Sequence, residues 1–424
     1  MTQLIKDWTG QLTSYNRNVR LFLLASILAN IGMGIFMVIY NYYIRELGYV
    51  DAVNGKVIAM QATASALALL PAGILSDKVG RKKVILLGAL FAAVSLMLRG
   101  IVTTEVLLLM TAFMTGLFMA FIQVSSIPLL AENSTEKERV HLFSFNFALI
   151  MVANVIGNVL GGTMSDLLHA VFGLTMLTSV RIVLLIGACL FFLALLPILK
   201  IQEERKIKKE KTGISSIGKL LTTHRSSLKV IGLFAVANLL IGFGSGLVIP
   251  YLNLYFTDRF DVSYSLVGII LSLGQAMTAV ALMIGPTVVR KVGEVRAVVY
   301  LQLASLPFLL LTAYTEVLWV AVIGFLFRQA LMNAGNPIQM ALMMRKVDDS
   351  MKGLANSVGQ MVFQLGWAVM GPVSTTLVMV YGSYYGYAYV FTITATLYLI
   401  GAIYFYVVFR ERKPSDKSSE NISV

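Results

Sequence analysis

Residues 73–83 read Gly73-Ile-Leu-Ser-Asp77-Lys78-Val-Gly80-Arg81-Lys82-Lys83, and they lie between two apolar runs, near 54–76 and 84–102. Each run approaches the roughly 20 apolar residues that carry a helix across a bilayer core. A short cluster of cations between two such runs is a turn at a membrane surface. Within it, Gly73 allows close helix approach and Gly80 a tight turn. Asp77, at a helix end beside the cations, pairs locally or sits at another helix's N-terminus.

The same pattern extends in both directions. Apolar runs recur near 20–43, 106–131, 142–165 and 182–199, and after a polar gap near 230–256, 263–289, 297–315, 317–344, 354–380 and 386–409. Lipid supplies no hydrogen-bond partners, so a spanning backbone must be helix or closed barrel. These runs far exceed the roughly 9–11 residues of a barrel strand. The composition agrees, since 58% of residues are apolar and 13% charged, against about 25% charged in soluble domains. The mean hydropathy is +0.80. An all-α membrane protein with twelve transmembrane helices is expected.

Charge fixes the orientation. The net charge is +13, but the cations sit in short clusters between apolar runs rather than on a face that could track phosphates, so nucleic acid is excluded as a partner. Arg45, Lys56, Arg99, Arg181 and Arg259 fall on one side and Arg328 inside a span, which leaves every other Lys and Arg on the opposite side. By the positive-inside rule that richer side, with both termini, is cytoplasmic. The segment 200–229 is a basic linker whose lysines either face anionic lipid or simply tether the halves. It separates an N-terminal bundle (1–199) from a C-terminal one (230–410), and the charged, Ser-rich stretch 411–424 is expected to be a disordered tail. The first residues lack the pattern of a cleaved signal peptide, so the first run is expected to be a retained span. The single cysteine, Cys189, sits in an apolar run and reads as a small buried hydrophobe.

The two halves resemble each other. Gly32-Met-Gly34 leads to Asn41 and Tyr43, and Gly244-Ser-Gly246 leads to Asn253 and Tyr255, at one constant offset. Gly73 to Arg81 has a counterpart from Gly285 to Gly293; Pro128 answers Pro337, and Gly157-Asn158 answers Gly371-Pro372. Five matches in order imply two six-helix bundles in parallel orientation, able to rock about a shared cavity.

Together with the twelve runs and the central linker, the Gly73–Lys83 loop resembles the signature loop of the major facilitator superfamily, and the resemblance covers essentially the whole chain. It implies that Asp77 and Arg81, with Gly73 and Gly80, form a latch between the halves in the outward-facing state. In the fifth run, Gly157-Asn158-Val-Leu-Gly161-Gly162 resembles the antiporter signature of drug-exporting members, with Asn158 where that signature has Pro; the alternative is simple helix packing through small residues. These exporters also carry an Arg in the fourth span, where Gly116 as anchor places Ala112.

Candidate binding groups are the polar side chains near mid-membrane: Asn30, Gln123, Asn154, Asn238, Gln275, Asn333, Asn336, Gln364 and, on the same face as Gln364, Trp367. Part of this set is expected to bridge helices instead. Arg328 is either a cationic anchor for an anionic substrate or an arginine satisfied by carbonyls and amides such as Asn333. No acidic residue falls near mid-membrane, and His141, His169 and His224 lie in loops or at span ends, so no proton carrier stands out; Glu132, Asp77 and Asp166 are the fallbacks. No paired carboxylates, metal cluster or nucleophile suggests an enzyme, and no phosphate-binding loop suggests an ATP-driven pump. The resemblance implies a secondary transporter in a bacterial inner membrane, surrounded by lipid and monomeric, with a small-molecule substrate, protons as coupling ion and no cofactor. Proton-coupled efflux of amphipathic compounds is the leading expectation, and a dedicated carrier for an anionic or polar metabolite anchored by Arg328 is the alternative.

Overall fold

The computed structural model describes residues 15–202 and 225–410, apart from the side chains of Glu136, Lys137, Val140 and Asp349. Most of the expected linker and the expected tail lie outside the described residues. The first half runs α1 (Arg17–Glu46), α2 (Asp51–Val79), α3 (Arg81–Arg99), α4 (Glu105–Glu132), α5 (Glu136–Phe172) and α6 (Met176–Leu199). The second runs α7 (Arg225–Phe260), α8 (Tyr264–Val292), α9 (Glu294–Tyr314) and α10 (Leu318–Lys346). A last helical stretch, Lys352–Phe409, is broken at Gly382 (φ 76°, ψ 175°) into α11 (352–381) and α12 (383–409). Helix α7 starts inside the segment expected to be linker.

Ten of the described helices are long and apolar enough to cross a membrane, the stretch broken at Gly382 counting once. Helix α3 is a further apolar helix; its 19 residues carry cations at both ends, Arg81 to Lys83 at one and Arg99 at the other. The turns α2–α3 and α8–α9 are each one glycine long. Gly80 (φ 109°) and Gly293 (φ 80°) hold a backbone that residues with a Cβ rarely adopt.

The face at which α6 ends and α7 begins is called here the linker face, and the opposite one the far face. Contacts across the pseudo-twofold reproduce the sequence repeat. Near the far face, Asn41 Nδ2 donates to Pro250 O and Asn253 Nδ2 donates to Val38 O, both at 2.7 Å. Asn41 Nδ2 also reaches Asn253 Oδ1 at 2.9 Å, across 212 positions of sequence. Tyr43 donates to Val102 O and Tyr255 to Thr312 O, each within its own half.

The halves meet mainly through α2 against α11 and α5 against α8. A single apolar core joins them toward the far face, with Ile39, Tyr42 and Val57 of the first half packed in one cluster with Tyr251, Val267 and Tyr387 of the second. Toward the linker face the two larger of the remaining cores are separate, while a small cluster of Ala68, Leu69 and Ala120 has Met361 of α11 packed against it. Of the two larger, one, with Phe22, Ile85, Leu142 and Ile198, belongs to the first half; the other, with Phe234, Val298, Leu342 and Phe405, belongs to the second. The lipid-facing surface is apolar. Cys189 lies on it, exposed and followed one turn later by exposed Phe192 and Leu193, which corrects the expectation of a buried thiol. In a bilayer an apolar residue gains by facing lipid as well as by facing the core, so apolar sequence did not settle which face Cys189 occupies.

Candidate functional site

Three helices of the second half build a cavity of about 240 Å³ on the side of the linker face. Helix α10 contributes Asn336, Gln339, Met340 and Met343, and α11 contributes Asn356, Gly359, Gln360 and Phe363. Both sets follow the spacing i, i+3, i+4, i+7, which puts them on one helical face. Helix α7 adds Phe234, Asn238 and Ile241. The lining holds amides, aromatic rings and thioethers and no ionisable side chain. Gln339 Nε2 donates to Asn238 Oδ1 at 2.8 Å, and Asn238 Nδ2 sits against Gly359. From the first half, Gln123 Nε2 reaches Gln360 Oε1 at 3.3 Å.

At the far face the halves are closed against each other by polar contacts and close backbone approach. Arg45 of α1 forks between Asp51 of α2, at 2.6 and 2.7 Å, and Asp258 of α7, at 2.5 and 2.7 Å. Tyr387 of α12 donates to the same Asp258 at 2.8 Å. Tyr42 stacks on Tyr264 with ring centres 3.8 Å apart and donates to Asn253 O. Asp166 of α5 accepts from the Ser265 N–H and hydroxyl, at 2.8 and 2.5 Å, in the first turn of α8. A carboxylate there complements the free N–H groups and positive dipole end of α8. Beside it, a Cβ on Gly162 would lie 2.1 Å from Tyr264 O, and one on Gly268 2.4 Å from Asn158 O; only glycine permits these approaches.

The structure distributes the expected binding residues over different surroundings. Asn238 lines the cavity and Gln123 touches it through Gln360. Asn333 bonds Thr278 and accepts from Asn336, one turn from the cavity floor. Asn30 donates to Ser26 O of its own helix, and Trp367 donates to Ser245 of α7 at 2.8 Å. Gln275 and Gln364 are half-buried and outside the lining. Arg328 is 2% exposed, and its guanidinium donates to Gln329 Oε1 at 2.9 Å and Tyr398 Oη at 3.0 Å. It is thus held between α10 and α12, away from the cavity, and Asn333 is not the amide that meets it.

Among the expected gating residues, Gly157 packs on Ile31 and Gly34 and Gly161 on Ile35, both within the first half, while Gly162 packs across onto α8. Asn158 is fully buried, and with its amide nitrogen turned toward α1 it donates to Gly34 O at 3.0 Å. Asp77 pairs with Arg81, which also donates to Ser76 and reaches Glu132, three contacts inside the first half. Among the described residues no other helix comes within 4 Å of where a Gly73 Cβ would lie, so the close approach expected there is not seen in this conformation. Arg99, placed by its sequence at a membrane surface, folds back instead: it is 5% exposed, 3.9 Å above the Tyr40 ring, and donates to Gln61 Oε1 at 2.6 Å.

Comparison with known proteins is consistent along the chain. Multidrug resistance protein MdtG of Dickeya zeae is 25% identical over 415 residues, covering 96% of this chain and 98% of that protein. Multidrug resistance protein 1 of Bacillus subtilis is 25% identical over 371 residues, covering 84% and 89%. The class H tetracycline resistance protein of Pasteurella multocida is 23% identical over 417 residues, covering 95% and 98%. The crystal structure of the nucleoside transporter NupG superposes with a TM-score of 0.72 at 16% identity, covering 93% of this chain and 100% of that one, which is a likeness of fold. The family model of the Major Facilitator Superfamily matches residues 22–371 and 234–423. The chain is a multi-pass membrane transporter and belongs to the Major Facilitator Superfamily.

Proposed function

We propose that this transporter exports amphipathic compounds in exchange for protons and that the structure is its inward-facing state. The observation that carries this reading is a cavity without ionisable lining on the linker face while the far face is sealed. Neutral amides with aromatic and thioether surfaces suit molecules that are largely apolar with a few polar groups. The linker face, with Lys78, Arg81 to Lys83, Arg290 and Lys291, is the cytoplasmic one in this reading. The drug and tetracycline resistance relatives point the same way.

Proton coupling is proposed at the far-face seal, where Asp166 and Asp258 cross between the halves. Protonating Asp166 would remove the charge that holds the α8 N-terminus. Protonating Asp258 would weaken its hold on Arg45, while Asp51, on the same half as Arg45, would keep that guanidinium neutralised as the halves part. Opening therefore leaves no cation stranded, which would otherwise be the costly step. When the linker face closes in turn, Asp77 and Arg81 are proposed to engage the second half.

The test is extrusion of a lipophilic cationic dye from energised cells, with and without a protonophore. Extrusion that stops with the protonophore and is lost in Asp258→Asn at normal expression is expected. Extrusion that survives the protonophore would overturn proton coupling, and none from a well-expressed protein would overturn the export of such compounds.

A further inference from the structure

Among the described residues, every Tyr or Trp exposed on the surface belongs to the second half. Tyr300 lies on α9 toward the linker face. The other five gather at far-face helix ends: Tyr314 closes α9, Trp319 opens α10, Tyr381 ends α11, and Tyr385 and Tyr389 fall in the first two turns of α12. These five are 43–62% exposed. At a rise of about 1.5 Å per residue, each sits within about 10 Å of a helix end. The far-face ends of the first half instead expose apolar side chains such as Ile101, Val106, Val171 and Phe172.

The turns that carry the rings are joined. Tyr389 meets Tyr381 edge-on at 5.1 Å and Tyr385 at 6.3 Å between ring centres. Tyr384 donates to Tyr314 O at 3.2 Å, and Arg259 lies 4.0 Å above the Tyr384 ring while donating to Thr315 O. Tyr314 Oη is bonded to Thr392, but no described residue bonds the hydroxyls of Tyr381, Tyr385 and Tyr389 or Nε1 of Trp319. Hydrocarbon would leave these four donors unsatisfied, and water alone would wet the apolar rings. The headgroup and ester layer of a bilayer satisfies both ends of such side chains.

We propose that the second half is the lipid-anchored half of the transporter. Its α9–α10 and α11–α12 turns form a platform that holds the phospholipid headgroup and ester layer at the far face, through three phenol hydroxyls and one indole N–H. The first half has no such platform among the described residues and changes depth more freely when the halves move.

Depth measurements test this on the full chain in the Cys189→Ala background. A spin label is placed at exposed Val106 or exposed Val317, at the α3–α4 and α9–α10 turns. Its depth below the phosphates is read in two phosphatidylcholine bilayers whose cores differ by about 5 Å, the spread among natural membranes. The label at Val106 should deepen by about 2 Å in the thicker bilayer, one leaflet's share of that difference, and the label at Val317 should stay. Trp319→Phe with Tyr381→Phe, Tyr385→Phe and Tyr389→Phe keeps the rings and removes the four donors; the label at Val317 should then follow the one at Val106. Equal behaviour of the two labels in the parent protein, or a fixed label at Val317 despite the four substitutions, would overturn the proposal. Trp319, left as the sole tryptophan by Trp8→Phe and Trp367→Phe, gives an independent reading in lipids brominated near the ester or near the chain end. Quenching strongest near the ester is expected. Quenching strongest near the chain end would place the ring in hydrocarbon, and quenching by neither would mean that a second copy covers the platform; either would sink the proposal.

Discussion

The two ends of the molecule are made from the same repeat and the same kinds of residue, yet they are joined differently. At the far face one apolar core runs through both halves, and the polar pairs cross between them: Arg45 with Asp258, Asp166 with Ser265, Asn41 with Asn253. Toward the linker face the two larger cores each stay within one half, and the described ion pairs stay at home: Arg81 with Asp77 and Glu132 in the first half, Arg345 with Glu294 in the second. The difference shows where this conformation stores its stability. Burial and pairing across the far face hold the halves together, and the linker face supplies room for a ligand.

That contrast can be broken from its strongest point downward. All tests use the Cys189→Ala background, since Cys189 is the sole cysteine and is exposed, with spin labels at exposed Val50 and Asp261 to report far-face separation. Gly162→Leu comes first. Its Cβ would meet Tyr264 main-chain oxygen at 2.1 Å, and overpacking against backbone should cost the closed state about 3 kcal/mol. The label distance should lengthen and transport should fall to background at normal expression. Arg45→Ala is next. The three side chains of the fork are only 17–25% exposed, between the surface and buried limits, so about 2 kcal/mol is expected, or about a thirty-fold shift toward an open far face. An unchanged distance distribution would mean that the apolar core alone keeps the face shut.

Asp166→Ala should loosen the face by about 1 kcal/mol, the usual worth of a helix N-cap. Asp166→Asn sharpens the comparison: wild-type behaviour would assign the effect to the cap hydrogen bond, and behaviour like Ala would assign it to charge, as proton coupling requires. The smallest effect on the closed far face is expected from Asp77→Asn. Asp77 is exposed and paired one turn away on its own half, so the label distance should not move. A loss of transport without that movement would place its role in the opposite state.

The spans, the repeat and the one-glycine turns were legible in the sequence because each is a local pattern: run length, constant offset, a Gly between charges. The seal was not. Arg45 and Asp258 lie 213 positions apart, and a single chain read by itself gives no reason to pair them. The cavity was legible only in part. Asn238 and Asn336 were found as polar residues in apolar runs, but Gln339, Asn356 and Gln360 needed their shared spacing on α10 and α11 to be noticed. Arg328 and Arg99 show the limit most clearly. A helix apolar all round does not reveal which of its faces meets lipid, protein or cavity, so a charge within it identifies a depth but no direction.

Gly382 is the whole connection between α11 and α12, and a joint of one residue has no slack. Helix α11 carries Gln360 and Phe363 at the cavity, and α12 carries Tyr387, whose hydroxyl rests on Asp258. The pair is a bent arm with its elbow at Gly382: a tilt of α11 is either absorbed by the glycine's dihedrals or carried into α12, and only in the second case would it reach the Tyr387–Asp258 contact.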